Sequence, residues 1–136
     1  MPTQFHLSVV APDRSVVEES VASIVAPGVE GYFGVMAGHV PVITALRPGL
    51  LEYSDLTTNR HYVYIGGGFA EVQANKVTVI ADEAEKAPEI DIAQAEQSLE
   101  AARRALRGED SSLTSVEAVI ELERAVSRIK AARSAR

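Results

Sequence analysis

The pattern of hydrophobic and polar residues changes character near Lys86-Ala87-Pro88. Before this point, apolar and β-branched runs of about four to eight residues are separated by glycine and proline, which is typical of strands joined by turns. After it, apolar residues recur every three or four positions among alanine, glutamate and arginine, which is typical of amphipathic helices. The pattern predicts two domains, residues 1–87 and 88–136.

The first domain contains several runs with strand character, namely FHLSVV, ASIVA, PVITAL, GLLEY, HYVYIGG and KVTVIA. In HYVYI, Tyr62 and Tyr64 alternate with Val63 and Ile65, which places the two pairs on opposite faces of a sheet. The short gap Gln73-Ala74-Asn75 predicts a hairpin turn, because Asn tolerates a positive φ. Many short strands at this spacing favour a β-sandwich or barrel.

The second domain is predicted to form two helices. The first begins at the N-cap Asp91, with Gln94 completing a capping box, and ends at Gly108. The second begins near Thr114, with Glu117 as its capping partner. Their predicted buried stripes are Ile92, Ala95, Leu99, Ala102 and Leu106 in the first helix, and Val116, Val119, Leu122, Val126 and Ile129 in the second.

Alanine occupies much of the predicted seam between these helices. A fully buried Leu or Ile contributes roughly 1.5–3 kcal/mol and Ala far less, and isolated helices of this length are marginal in water. We therefore expect an antiparallel hairpin that is weakly held and detachable.

Composition and charge exclude several classes of protein. The net charge of −6 argues against general nucleic-acid binding, which needs a basic surface. The N-terminal segment MPTQFHLSVVAPD lacks the pattern of a signal or transit peptide. No apolar run approaches the roughly 20 residues that span a bilayer, so membrane association is expected only through another protein.

The sequence carries few candidate reactive groups. The glycines of YIGGGFAEV lead into more strand rather than into the Gly-Lys-Ser/Thr and helix of a phosphate loop, so a bulge or close backbone packing is the preferred interpretation. The histidines His6, His39 and His61 show no metal-ligand spacing. We expect no metal site and no catalytic residue, which indicates a protein that is not itself an enzyme.

The end of the chain forms a basic strip without acidic residues: Arg124, Arg128, Lys130, Arg133 and Arg136 follow Glu123. One interpretation is favourable pairing with the helix dipole on a solvated face. The other is a cationic surface for an acidic protein or a nucleotide.

Three segments resemble the epsilon subunit of F-type ATP synthases: GVEGYFGVMAGHVPVITALRPG, GGFAEVQANKVTVIADEAEKAPEID and LERAVSRIKAA. The resemblance spans nearly the whole chain and implies a ten-stranded β-sandwich followed by an antiparallel two-helix hairpin. It also implies a non-catalytic rotor subunit of the central stalk, which couples proton-driven rotation of the c-subunit ring to gamma and to ATP synthesis by alpha and beta. The implied location is peripheral, on the cytoplasmic face of a bacterial plasma membrane or the stromal face of a thylakoid membrane.

The resemblance also assigns residues to the contact with the c ring and gamma. These are Val29, Glu30, Gly31, Tyr32, Phe33, Gly38, His39, Val40 and Pro41. Tyr32 stands where many relatives carry a carboxylate, which favours an aromatic contact there. His39 is expected to shape this interface, with a purely structural loop role as the alternative; Gly38 would supply an unusual backbone angle and Pro41 rigidity.

In the family, the hairpin can extend along gamma and inhibit ATP hydrolysis. The inhibitory contact is expected to use Arg103, Arg104, Arg124, Arg128 and Arg133. Some bacterial relatives bind ATP in the folded hairpin, which here would involve Glu85, Ile90, Asp91, Arg124 and Arg128. Gln94 and Ala101 replace two arginines of that pattern, so at most a weak regulatory ATP and no other cofactor is expected.

Two other functions fit parts of the sequence. A free-standing adaptor with a β-sandwich and a helical interaction arm satisfies the same physical pattern. A small β-barrel enzyme or ligand binder would need a polar constellation in a cleft, and none is evident in the sequence.

Overall fold

The computed structural model describes residues 3–134. Within this range the chain forms seven strands, a single 3₁₀ turn at Ala87–Glu89, and two helices. The strands are β1 (Phe5–Ala11), β2 (Arg14–Gly28), β3 (Gly31–Met36), β4 (Val42–Asp55), β5 (Arg60–Val72), β6 (Lys76–Ala81) and β7 (Ala84–Lys86). The helices are α1 (Ile92–Leu106) and α2 (Ser115–Ser134). Arg136, the last member of the predicted basic strip, lies outside the described residues.

The β-sandwich followed by two helices is confirmed, but the expected count of ten strands is wrong. The strand order is β1-β6-β5-β4-β2-β3, and β1 also pairs with β2, so five strands close into a barrel. The short strand β3 extends this barrel beside β2, and β7 pairs with β5.

The lower count reflects long continuous strands. β2, β4 and β5 contain 15, 14 and 13 residues, about twice or more the usual five to six. The predicted runs PVITAL and GLLEY both belong to β4, which continues through Pro48 opposite Gly66 of β5. A strand of this length bends around the core and takes the place of two short ones.

The barrel interior is the main hydrophobic core, as the alternation in β5 predicts. Val63 and Ile65 are fully buried inside it, whereas Tyr64 is fully buried in a second, smaller cluster on the outside, with Tyr62 packed against it. The second cluster contains Leu50, Tyr64, Ile90, Ala131 and Ala132. One face of β5 therefore packs in the sandwich core, and the opposite face packs against the hairpin.

The triple glycine permits close backbone packing, as expected. At Gly68, φ is +137°, and an added Cβ would lie 2.1 Å from the carbonyl oxygen of Ile80 on β6. No side chain fits at that distance. Phe69–Val72 continues as strand, so the phosphate-loop alternative is excluded for this segment.

The predicted N-caps and the end of α1 are confirmed, but Gln94 does not complete the predicted capping box, because its side-chain oxygen accepts a hydrogen bond from Arg128 instead. The Asp91 carboxylate accepts a hydrogen bond from the Gln94 backbone amide at 3.1 Å. Thr114 and Glu117 form a reciprocal capping box, with both bonds at 3.1 Å. Gly108 has φ +78° and follows α1 in a Schellman arrangement, with backbone bonds from Gly108 to Ala105 and from Glu109 to Arg104.

The predicted buried stripe of α2 is wrong for its three valines. Val116, Val119 and Val126 are 70%, 43% and 47% exposed, and of the predicted stripe Ile129 is buried. The other buried side chains of α2 are Ala118, Ala125, Ser127, Ala131 and Ala132. Small side chains let the helix backbone approach α1 and the tyrosine-bearing face of β5 closely, and this geometry outweighs the larger apolar area of the valines. The alanine-lined seam is confirmed, since Ala95 and Ala102 of α1 are also fully buried.

Candidate functional site

One candidate site lies at the end of the sandwich where β2 turns into β3 and β3 leads to β4. The Val29-Glu30 turn and the 37–41 connection frame a shallow cavity of about 330 Å³. Its lining includes Glu30, Gly31, Tyr32, Phe33, His39 and Val42. The structure therefore brings together the two segments that the sequence assigned to one interface.

Only Val29 and Glu30 of the first segment form a turn. Gly31, Tyr32 and Phe33 belong to β3 and pair with β2. The Tyr32 hydroxyl accepts a hydrogen bond from the Leu50 amide at 3.2 Å, while its ring side chain stays 48% exposed. Tyr32 thus offers an apolar ring rather than a free hydroxyl.

The His39 side chain is held by a hydrogen bond to the backbone of the β3–β4 connection in which it lies. Its Nδ1 lies 2.8 Å from the Val40 carbonyl oxygen and must donate there, because a carbonyl only accepts. The backbone at Gly38 has φ +80°, the unusual angle expected for this glycine. The connection also carries apolar side chains at the surface, since Val40 and Ile43 are 74% and 72% exposed.

A second candidate site is a cavity of about 660 Å³ between the sandwich and the hairpin. The side chain of Arg128 on α2 forms part of the cavity lining. Its Nε and Nη2 donate to the Glu85 carboxylate at 2.6 and 3.3 Å. Nη1 donates to the Gln94 side-chain oxygen on α1. The Arg128 side chain is only 15% exposed. One guanidinium thus joins β7, α1 and α2.

Arg124 lies one helical turn before Arg128 in the same cavity. Its Nε is 3.7 Å from Glu83, and its Nη1 donates to Glu121 at 3.3 Å. That Nε is buried without a hydrogen-bond partner among the described residues. Glu83 also accepts a 2.7 Å bond from the Tyr64 hydroxyl, and burial together with Glu83 raises the pKa of Tyr64, so the phenol stays neutral.

The lining of this cavity carries more negative than positive charge. Its cations are Arg14, Arg124 and Arg128, and its carboxylates are Asp13, Asp82, Glu83, Glu85 and Glu121. Arg14 also donates to the Ala84 carbonyl oxygen at 3.0 Å. The sequence did not indicate Arg14, Tyr64 and Glu83 as members of this site, because long chain separations hide their proximity to α2.

The residues predicted for nucleotide binding and inhibition are divided between several places. Glu85, Arg124 and Arg128 line the cavity, but Ile90 packs in the second cluster and Asp91 caps α1. Arg103 and Arg133 line a groove of about 650 Å³ on another face of the hairpin, and Arg104 is exposed. The structure does not unite the five arginines in one surface.

Comparison with known proteins identifies the family. A family model for the β-sandwich domain of the ATP synthase delta/epsilon chain matches residues 4–87. The chain belongs to this family. The resemblance of the three sequence segments to ATP synthase epsilon subunits is thereby confirmed.

Members of the epsilon chain family match over most of the chain. The ATP synthase epsilon chain of Nitratidesulfovibrio vulgaris (strain DP4) is 40% identical over 130 residues, covering 96% of each chain. That of Lawsonia intracellularis is 43% identical over 111 residues, covering 81% of this chain and 83% of the relative. A chain in the cryo-EM structure of the Euglena gracilis mitochondrial ATP synthase, OSCP/F1/c-ring, has a TM-score of 0.81 and 31% identity, covering 93% of this chain and 80% of that chain.

Arg128 gives a direct test of how this epsilon-family hairpin is held. Arg128→Ala should lower the free energy of opening α2 by about 2 kcal/mol, because it removes a poorly solvated, bidentate ion pair. Amide hydrogen exchange of α2, with β1 to β6 as the internal reference, measures this change.

The matched control is Arg133→Ala. Arg133 pairs with Glu96 at 3.5 Å, but its side chain is 65% exposed, so its loss should change opening by no more than about 0.5 kcal/mol. Equal effects of the two substitutions would contradict a specific role for Arg128.

Proposed function

We propose that this chain is a non-catalytic rotor subunit of the central stalk of an F-type ATP synthase. It couples rotation of the c-subunit ring to gamma, and through gamma to ATP synthesis by alpha and beta. Family membership supports this role, as does the likeness to a chain in a complex described as OSCP/F1/c-ring. Membrane association is peripheral, on the cytoplasmic face of a bacterial plasma membrane, with the stromal face of a thylakoid as the alternative.

The observation that carries the proposal is the exposed apolar end of the sandwich. The Val29–Phe33 and Gly38–Pro41 segments converge there, beside Met36 and Ile43, which are 69% and 72% exposed. A stable contact needs such apolar area at its centre. Among the described residues, no helix is long and apolar enough to span a bilayer. A free-standing adaptor would also present an apolar end, so association with ATP synthase subunits is the deciding test.

Val40→Asp tests this surface. The side chain is 74% exposed, so the fold should be unchanged, while a buried charge at the interface should weaken assembly at least tenfold, equivalent to about 1.4 kcal/mol. The readout is recovery of the subunit with purified gamma and c ring, together with ATP-driven proton pumping by the reconstituted complex.

Leu56→Asp is the matched control for this substitution. Leu56 is 50% exposed at the opposite end of β4, in the turn to β5. Its substitution should leave assembly intact. Normal assembly by Val40→Asp would argue that this end of the sandwich does not carry the contact.

We propose further that the hairpin inhibits ATP hydrolysis in a second, extended position. The support is that Arg103, Arg104 and Arg133 are all exposed on the hairpin, with Arg103 and Arg133 lining one groove, so they can pair with acidic groups of a partner. Arg124 and Arg128 would add to these cations after leaving the cavity.

Truncation after Gly108 removes α2 and should raise ATP hydrolysis by the assembled complex about fivefold or more. The triple variant Arg103→Ala, Arg104→Ala, Arg133→Ala should reproduce much of the increase. Arg107→Ala is its control, because Arg107 already pairs with Glu100 and Glu109. Unchanged hydrolysis after truncation would remove the inhibitory role.

For the cavity beneath the hairpin we propose at most weak regulatory ATP binding. Arg124 and Arg128 offer guanidinium groups to phosphates, and the buried Nε of Arg124 has no hydrogen-bond partner in the described structure, although Glu83 lies 3.7 Å away. However, five carboxylates face three arginines in the lining. Desolvated phosphates would meet net repulsion there unless a cation accompanied them.

Calorimetric titration of the full chain with ATP should give a Kd no tighter than about 0.1 mM, equivalent to about −5.5 kcal/mol. Gln94→Arg should tighten binding about tenfold, because it restores a phosphate-pairing group at the wall of the cavity. Micromolar binding by the unchanged chain would contradict the charge argument.

A further inference from the structure

Three side chains with metal-binding atoms meet at the end of the sandwich opposite Val40. They are Glu19 of β2, Asp55 at the end of β4, and His61 at the start of β5. One ligand atom from each lies within 4.8 Å of the other two. Within this cluster, His61 Nε2 is 2.8 Å from Asp55 Oδ2.

Neighbouring groups hold these side chains in place. Asp55 Oδ1 accepts backbone bonds from Thr57 and Asn59 at 2.8 and 3.0 Å, which leaves Oδ2 facing His61. The His61 ring stacks on Tyr53, with ring centroids 4.8 Å apart and the planes inclined by 20°. The Tyr53 hydroxyl lies 3.5 Å from Glu19 Oε1. Such outer contacts orient ligands in metal sites.

The cluster also has space and charge for a cation. A cavity of about 310 Å³ adjoins it, lined in part by Glu19, Tyr53 and His61. Glu19 and Asp55 supply two carboxylates to the cluster. Arg60 and Lys86 also line the cavity, but Arg60 pairs with Glu52 at 3.5 Å.

We propose that Glu19, Asp55 and His61 form a zinc-binding site that ties β2 to the β4–β5 hairpin. One imidazole nitrogen and two carboxylate oxygens, with water at a fourth position, are a donor set that suits Zn²⁺ better than Mg²⁺. The ion takes the place of the hydrogen bond between His61 and Asp55. With zinc–ligand distances of about 2.0–2.2 Å, tetrahedral ligand atoms lie about 3.3–3.6 Å apart. The His61–Asp55 pair, at 2.8 Å, therefore has to open, and the Glu19 oxygen, within 4.8 Å of both, has to move closer.

The test is titration of the full chain with Zn²⁺ at neutral pH by calorimetry and thermal unfolding. We expect one equivalent to bind and to raise the unfolding temperature by several degrees at saturating metal. His61→Gln and Glu19→Gln should each weaken binding at least about tenfold. Mg²⁺ at the same concentrations should have little effect.

His6→Gln is the matched control. His6 forms a similar pair with Glu18 at 2.7 Å, and its side chain is 41% exposed compared with 42% for His61. The cluster of metal-binding groups found among the described residues does not include that pair, so His6→Gln should leave zinc affinity unchanged.

Two results would overturn the proposal: no saturable zinc binding by the unchanged chain, or equal losses of affinity in His6→Gln and His61→Gln. Circular dichroism checks the fold of each variant. If His61→Gln fails to fold, Glu19→Gln decides, because unchanged affinity in that variant contradicts a three-ligand site.

Discussion

The bond between Arg128 and Glu85 is the contact on which the arrangement of the two domains depends. Glu85 sits opposite Tyr64 in the β5–β7 pairing, on the face that receives the hairpin. Alanine side chains line α2 there, and they bury too little apolar area to hold two helices firmly. Polar contacts therefore contribute a larger share of the docking free energy than in an ordinary helix–sheet interface. They are also more easily exchanged for other partners than buried apolar area.

Docking of the hairpin and binding of an anionic partner therefore compete for the same arginines. Arg124 and Arg128 pair with Glu83, Glu85 and Glu121, so an anion or an acidic protein surface must compete with these carboxylates for the two arginines. Any ligand that occupies the cavity must replace these bonds without leaving the carboxylates unpaired. Release of the hairpin must also expose Tyr64, whose side chain is fully buried in the docked state. The free-energy difference between the docked and released states is thus a small sum of large opposing contributions. Small changes at Arg128 therefore shift the equilibrium between the two states.

Local signals in the sequence predicted local structure well. The caps at Asp91 and Thr114, the end of α1 at Gly108 and the opposite faces of β5 all depend on neighbouring residues. The buried face of α2 could not be predicted in this way, because close approach of backbones selected alanine over valine. The cluster of Glu19, Asp55 and His61 was missed for another reason. Its members come from three strands, and a search for histidine pairs at regular spacing does not detect one histidine with two distant carboxylates.

The exposed stripe of α2 supports a hairpin with more than one docking position. Val116, Val119, Ile120 and Val126 all face solvent in the docked state, although alanine or a polar residue would maintain the helix at no cost in exposed apolar area. If this stripe were buried against another surface, its larger side chains would contribute hydrophobic free energy that the alanine face cannot contribute. A helix with one face suited to close packing on the sandwich and another suited to apolar contact elsewhere has two alternative interfaces. The ion pair at Arg128 then favours the first interface without making it permanent.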